Sequence, residues 1–170
     1  AASDVYKRQE ELKDKIDENP TLRFAKKCGM QLHFISREEY RKKDEVEFIN
    51  HLNTKYPNTY VIPEGGTNDF AIKGCEEILY DDCFEYDFIA SAIGTCGTIA
   101  GLIESSKPHQ KILGFPSLKG DFIQNEIEKL TNKTNFTIFN DYHFGGYGKV
   151  SDELITFVND FKRINHIQLD

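Results

Sequence analysis

Residues 88–102 constrain the fold of this chain more than any other stretch. Phe88–Ile93 is a short, nearly all-apolar run, Gly94-Thr95-Cys96-Gly97-Thr98 is small and polar, and Ile99-Ala100-Gly101-Leu102 opens a helix-like pattern. A run of the first kind marks a parallel strand covered by helices on both faces. Glycines and threonines after such a strand let backbone amides approach an anion, and a helix beginning there adds the positive end of its dipole. The stretch predicts a strand, a turn and a helix, with the turn either a phosphate cradle or an ordinary connection. It holds no lysine, which excludes the Gly-Lys-Ser/Thr loop of nucleoside triphosphatases. Nor do Gly94, Gly97 and Gly101 have the G-x-G-x-x-G spacing of a dinucleotide site.

The same alternation runs along much of the chain. Asn19-Pro20 predicts a helix start and Cys28-Gly29 its stop. Residues 31–35 read as a strand, and residues 37–52 as one surface helix anchored by Tyr40, Phe48, Ile49 and Leu52. Residues 59–62 read as a second buried strand. From Asn68, Ala71, Ile72, Cys75, Ile78 and Leu79 fall on one helical face, expected to pack on the sheet. Residues 111–115 form a further apolar run that Pro116 ends. Phe122, Ile123, Ile127 and Leu130 mark a helix, and residues 136–139 a strand. Ser151 opens a last helix with Leu154, Ile155, Phe157, Val158 and Phe161 on one side and Lys162 and Arg163 near its end. Strands alternating with helices predict an α/β fold: across residues 59–140, a parallel sheet wound with helices on both faces.

A chain of 170 residues makes one ordinary domain or parts of two, and its net charge of −7 argues against a nucleic-acid surface. No apolar run approaches the roughly 18 residues that span a membrane, and no signal-peptide pattern is visible, so a cytoplasmic protein is expected. Cys28, Cys75, Cys83 and Cys96 lack C-x-x-C spacing and read as buried, reduced thiols. Cys96, at a helix start, could instead have a lowered pKa, although a space-filling role is the simpler reading. His33, His51, His109, His143 and His166 show no ligand spacing, so no metal site is expected. The sequons at Asn132 and Asn135 read as chance matches.

Gly94-Thr95-Cys96-Gly97-Thr98-Ile99-Ala100-Gly101-Leu102 resembles the G-[ST]-x-G-T-x-A-G-L loop of the tryptophan-synthase-β-like fold, particularly its 1-aminocyclopropane-1-carboxylate deaminase and D-cysteine desulfhydrase branch. Upstream, Val61-Ile62-Pro63-Glu64-Gly65-Gly66-Thr67-Asn68 resembles that branch's I-P-x-G-G-[ST]-N turn, and downstream Gly146-Tyr147-Gly148 resembles its G-Y-G turn. The resemblance implies that Gly94, Thr95, Cys96, Gly97 and Thr98 hold the phosphate of pyridoxal 5'-phosphate and that Tyr147 lines the substrate pocket as a catalytic residue. It implies a lyase or deaminase that acts on a small amino acid, releases ammonia and a 2-oxo acid, and works as a homodimer. Glu64 departs from the branch's usual residue, and residues 64–68 read as a structural turn with Asn68 as N-cap.

Further expectations concern the two ends. Residues 1–9 match an in-frame reading of a sequencing adapter and are set apart from the fold. Residues 10–54 are expected to belong to a small domain and residues 55–170 to a large cofactor-binding one. The family's cofactor-attachment lysine, its Ser-Asn-His helix start and its Pro-x-Tyr-x-Gly-Lys segment have no counterparts here. The chain is therefore expected to be an internal piece, truncated at both ends and inactive by itself. The rival expectation is a non-catalytic α/β protein that binds a phosphate ligand.

Overall fold

The computed structural model describes residues 6, 7 and 10–169, and the chain divides after Gly66 into two compact units. In the first, β1 (Tyr6–Lys7) pairs in parallel with β2 (His33–Phe34), so part of the segment set apart as adapter-like takes part in a ladder. Between them, α1 (Pro20–Lys27) starts where Asn19 Oδ1 accepts from the Thr21 and Leu22 amides at 3.0 and 3.1 Å. It ends where Gly29, at φ 82°, donates to Lys26 O and Met30 donates to Ala25 O. That is a Schellman cap, and the positive φ is why glycine stands there. Start and stop agree with the sequence.

The single helix expected over residues 37–52 is two: α2 (Arg37–Arg41), opened by a capping box between Ser36 and Glu39, and α3 (Val46–Lys55). Tyr40, Phe48 and Leu52 would lie on one i, i+4 stripe only with position 44 as its missing member. That position is Asp44, a charge that no continuous apolar face accommodates, and the chain breaks there. Residues 59–62 form no strand. Their apolar character was legible, but no neighbouring strand pairs with them, and a strand exists only through its ladder.

The second unit begins with α4 (Asp69–Cys75), whose N-cap Asn68 accepts from the Ala71 amide at 2.9 Å. Three parallel strands follow, β3 (Phe88–Ile93), β4 (Lys111–Pro116) and β5 (Phe136–Ile138), in spatial order β3-β4-β5. They are linked by α5 (Gly97–Ser105) and α6 (Phe122–Glu128), and α7 (Asp152–Asn165) comes last, capped by Ser151. This is an α/β arrangement.

Register puts Ile89, Ile112 and Phe136 side by side on one face, where they join Ile93, Ile99, Leu102, Ile103, Ile123 and Ile127 in the core. On the other face β3 is open, with Phe88 63% exposed and Ala90 and Ala92 open to solvent, while on β4 Leu113 and Phe115 are half-buried and Phe115 stacks on Phe139. Helices on both faces are thus not what residues 88–138 form. Strand-helix-strand crossovers are nearly always right-handed, so two that step across the sheet in the same direction must put both helices on the same side. Nor does α4 lie directly on the sheet: it packs on α5, and Ile78 is largely exposed. The apolar stripe of α7 forms, yet none of its residues is buried.

The amino end of the sheet is fixed by two side-chain amides, that of Gln110 buried and that of Asn135 half-buried. Gln110 Nε2 donates to Cys83 O and Tyr86 O, both at 2.9 Å, and Asn135 Nδ2 donates to Ser106 Oγ and Gln110 O, also at 2.9 Å. Asn135 thereby has a structural task. All four cysteines are free, but only Cys96 is buried, and Cys28 is exposed.

Candidate functional site

The carboxyl end of a parallel sheet is where open α/β folds present their ligand-binding loops. Here β3 ends at Ile93, whose carbonyl accepts from the amide and hydroxyl of Ser117 at 3.0 and 3.2 Å, so the ends of β3 and β4 are tied together. Gly94, Thr95 and Cys96 make the turn, and α5 begins at Gly97. The strand, turn and helix expected from the sequence are all present.

The start of α5 is a set of donors without acceptors. Cys96 is the N-cap and makes no side-chain cap bond. Among the described residues, the Gly97 and Thr98 amides have no hydrogen-bond acceptor. Helix starts leave such amides, and an anion satisfies them while meeting the positive end of the dipole. Gly94, Thr95 and Thr98 are exposed, and apart from its chain neighbours nothing lies within 4 Å of where a Cβ on Gly94 would stand. The space before the helix is open and lined by donors.

Cys96 contributes differently from a reactive thiol. Its side chain faces the core at 7% exposure, and burial, then the Glu126 carboxylate, push its pKa upward. A thiol buried among core side chains fits the space-filling reading, and toward a ligand Cys96 offers only its backbone. Glu126 is itself paired with Lys129 at 2.5 Å.

The sequence reading assigned Thr67 only a place in the structural turn of residues 64–68. A Cβ on Gly97 would stand 2.9 Å from Thr67 Oγ1 and 3.4 Å from Thr67 Cα and Cβ. The hydroxyl oxygen is buried and has no hydrogen-bond partner. No local pattern reveals this, because the contact joins the turn before α4 to the turn before α5.

Tyr147 lies in a turn where Phe144, Gly145, Gly146 and Gly148 all have positive φ. A Cβ on Gly146 would come within 3.5 Å of Lys119 Cβ, in the connection that leaves β4. The turn therefore sits at the carboxyl end of β4. Tyr147 is 80% exposed and makes no described hydrogen bond. Such exposure disfavours a packing role. Tyr147→Phe and Tyr147→Ala should each change stability by no more than about 0.5 kcal/mol in urea denaturation; a loss above about 1 kcal/mol would show that the ring is a packing residue.

Together these features fit the phosphate of a cofactor: two free amides, an exposed threonine hydroxyl, an orphaned buried hydroxyl and a glycine too crowded for a side chain. No group of three or more metal-ligating side chains occurs among the described residues, and no helix among them is long and apolar enough to cross a membrane.

No family model matches the chain. It is similar to a Thermotoga maritima protein named "Putative 1-aminocyclopropane-1-carboxylate deaminase", at 27% identity over an alignment of 164 positions that takes in 84% of this chain. The chain spans about half of that relative, 53% of its length.

Proposed function

We propose that this chain is the cofactor-anchoring part of a pyridoxal-phosphate-dependent lyase or deaminase that acts on a small amino acid such as 1-aminocyclopropane-1-carboxylate or D-cysteine. The observation that carries the reading is the pair of acceptor-free amides of Gly97 and Thr98 at the carboxyl end of β3. Similarity to a relative named for deamination supports it.

The residues divide the work. Backbone donors of Gly97 and Thr98, with the Thr98 hydroxyl, bind the phosphate group and fix its position. Hydrogen bonds to a charged acceptor are about twice as strong as neutral ones. Ser117 holds the end of β3, so the loop stays formed before the ligand arrives. When bound, the cofactor supplies an electron sink for the carbanion chemistry of amino acids. Tyr147, on its exposed turn, orients the substrate or moves a proton at its phenolic oxygen.

Titration of the chain with pyridoxal 5'-phosphate, followed by fluorescence or calorimetry, tests this. Saturable one-to-one binding that inorganic phosphate competes away is the expected result. Binding that phosphate leaves untouched, or none at all, would remove the loop as anchor. Borohydride reduction should label no lysine of the chain stoichiometrically, because none stands in the family's attachment context.

A further inference from the structure

We propose that the hydroxyl of Thr67 is a further donor to the anion held at the start of α5, an inference that rests on the phosphate-binding reading of that loop. A buried hydroxyl without a partner is costly, and such groups in folded proteins call for an explanation. Thr67 Oγ1 is one of three buried side-chain oxygens or nitrogens without a partner among the described residues. The other two, Asn135 Oδ1 and Asn140 Oδ1, belong to side chains whose Nδ2 groups are hydrogen-bonded. Thr67 has no second polar side-chain atom.

Its position supplies the explanation. The hydroxyl lies against Gly97, the first residue of α5, at a distance that leaves no room for a Cβ. Gly97 and its neighbour Thr98 are also the residues whose amides lack acceptors. Three unpaired donor groups thus gather at one helix start, and two come from backbone that cannot be mutated away. A phosphate group, with several oxygens each able to accept more than one hydrogen bond, is the kind of ligand that satisfies all three. A hydroxyl can also rotate its proton toward the ligand.

The test exploits a sign. Thr67→Val keeps the shape of the side chain and deletes the hydroxyl, so the ligand-free chain should melt at the same temperature or higher, since an unpaired buried polar group has been removed. The dissociation constants for pyridoxal 5'-phosphate and for inorganic phosphate should both rise about 10- to 150-fold. Thr67→Ser, which restores the hydroxyl, should bring both back to within a few-fold of the unsubstituted chain. If valine proves poorly tolerated, Thr67→Ala, which cannot clash, should show the same loss of affinity. A Thr67→Val or Thr67→Ala chain that binds both probes as the parent does overturns the proposal and leaves the loop reading standing. It is likewise overturned if Thr67→Ser stays as weak as the valine variant. Failure of the unsubstituted chain to bind either probe overturns both.

Discussion

Gly101→Val is expected to lower the melting temperature of the second unit by roughly 12–24 °C, taking about 3 kcal/mol for overpacking and roughly 4–8 °C per kcal/mol for a unit of this size. A Cβ at this position would stand 2.7 Å from the Ile72 carbonyl oxygen and 2.9 Å from the Cys75 carbonyl carbon. Both are backbone atoms, which cannot swing aside as the end of a long side chain can, so α4 and α5 would have to separate. Gly74 provides the contrast. It lies in α4 with nothing within 4 Å of its would-be Cβ, so Gly74→Ala should raise stability by about 0.5–1 kcal/mol through helix propensity alone. Scanning calorimetry of the two variants checks both signs. A Gly101→Val chain that melts with the parent would mean that α4 is not seated on α5.

Thr98→Val should weaken pyridoxal 5'-phosphate binding by about 10- to 150-fold, the range set by losing one hydrogen bond of about 1.5–3 kcal/mol to a charged group. The side chain is exposed at the first turn of α5 and has no structural partner, so the loss should appear in affinity and hardly in thermal stability. Thr98→Ser should bind nearly as tightly as the parent. Binding should weaken without vanishing, because the amides remain. An unchanged affinity in Thr98→Val would remove that hydroxyl from the site.

What was legible in the sequence is what short-range physics decides. Asn19, Asn68 and Ser151 were readable as caps because a side-chain acceptor two or three residues before a free amide satisfies it in any context. Residues 88–102 were readable because an apolar run, a small-residue turn and a helix pattern follow one another directly. Long-range facts were not. The failure of residues 59–62 to pair depends on a neighbour that the local sequence does not specify. The open face of β3 depends on the direction in which the chain steps from β3 to β5, to which an apolar strand pattern is blind. Thr67 needed three dimensions too: nothing about a threonine in a Gly-Gly turn reveals that its oxygen rests on Gly97.

The uncovered face has a consequence for where a cleft can open. β3 is an edge strand of the described sheet, its far side unpaired. Any strand added there by a right-handed crossover must travel opposite to the path from β3 to β5, so its helix would settle over Phe88, Ala90 and Ala92. Two helix layers would then diverge on either side of one strand's tip, leaving a crevice between them. That tip is Ile93, and the residues lining the crevice would be those that begin α5.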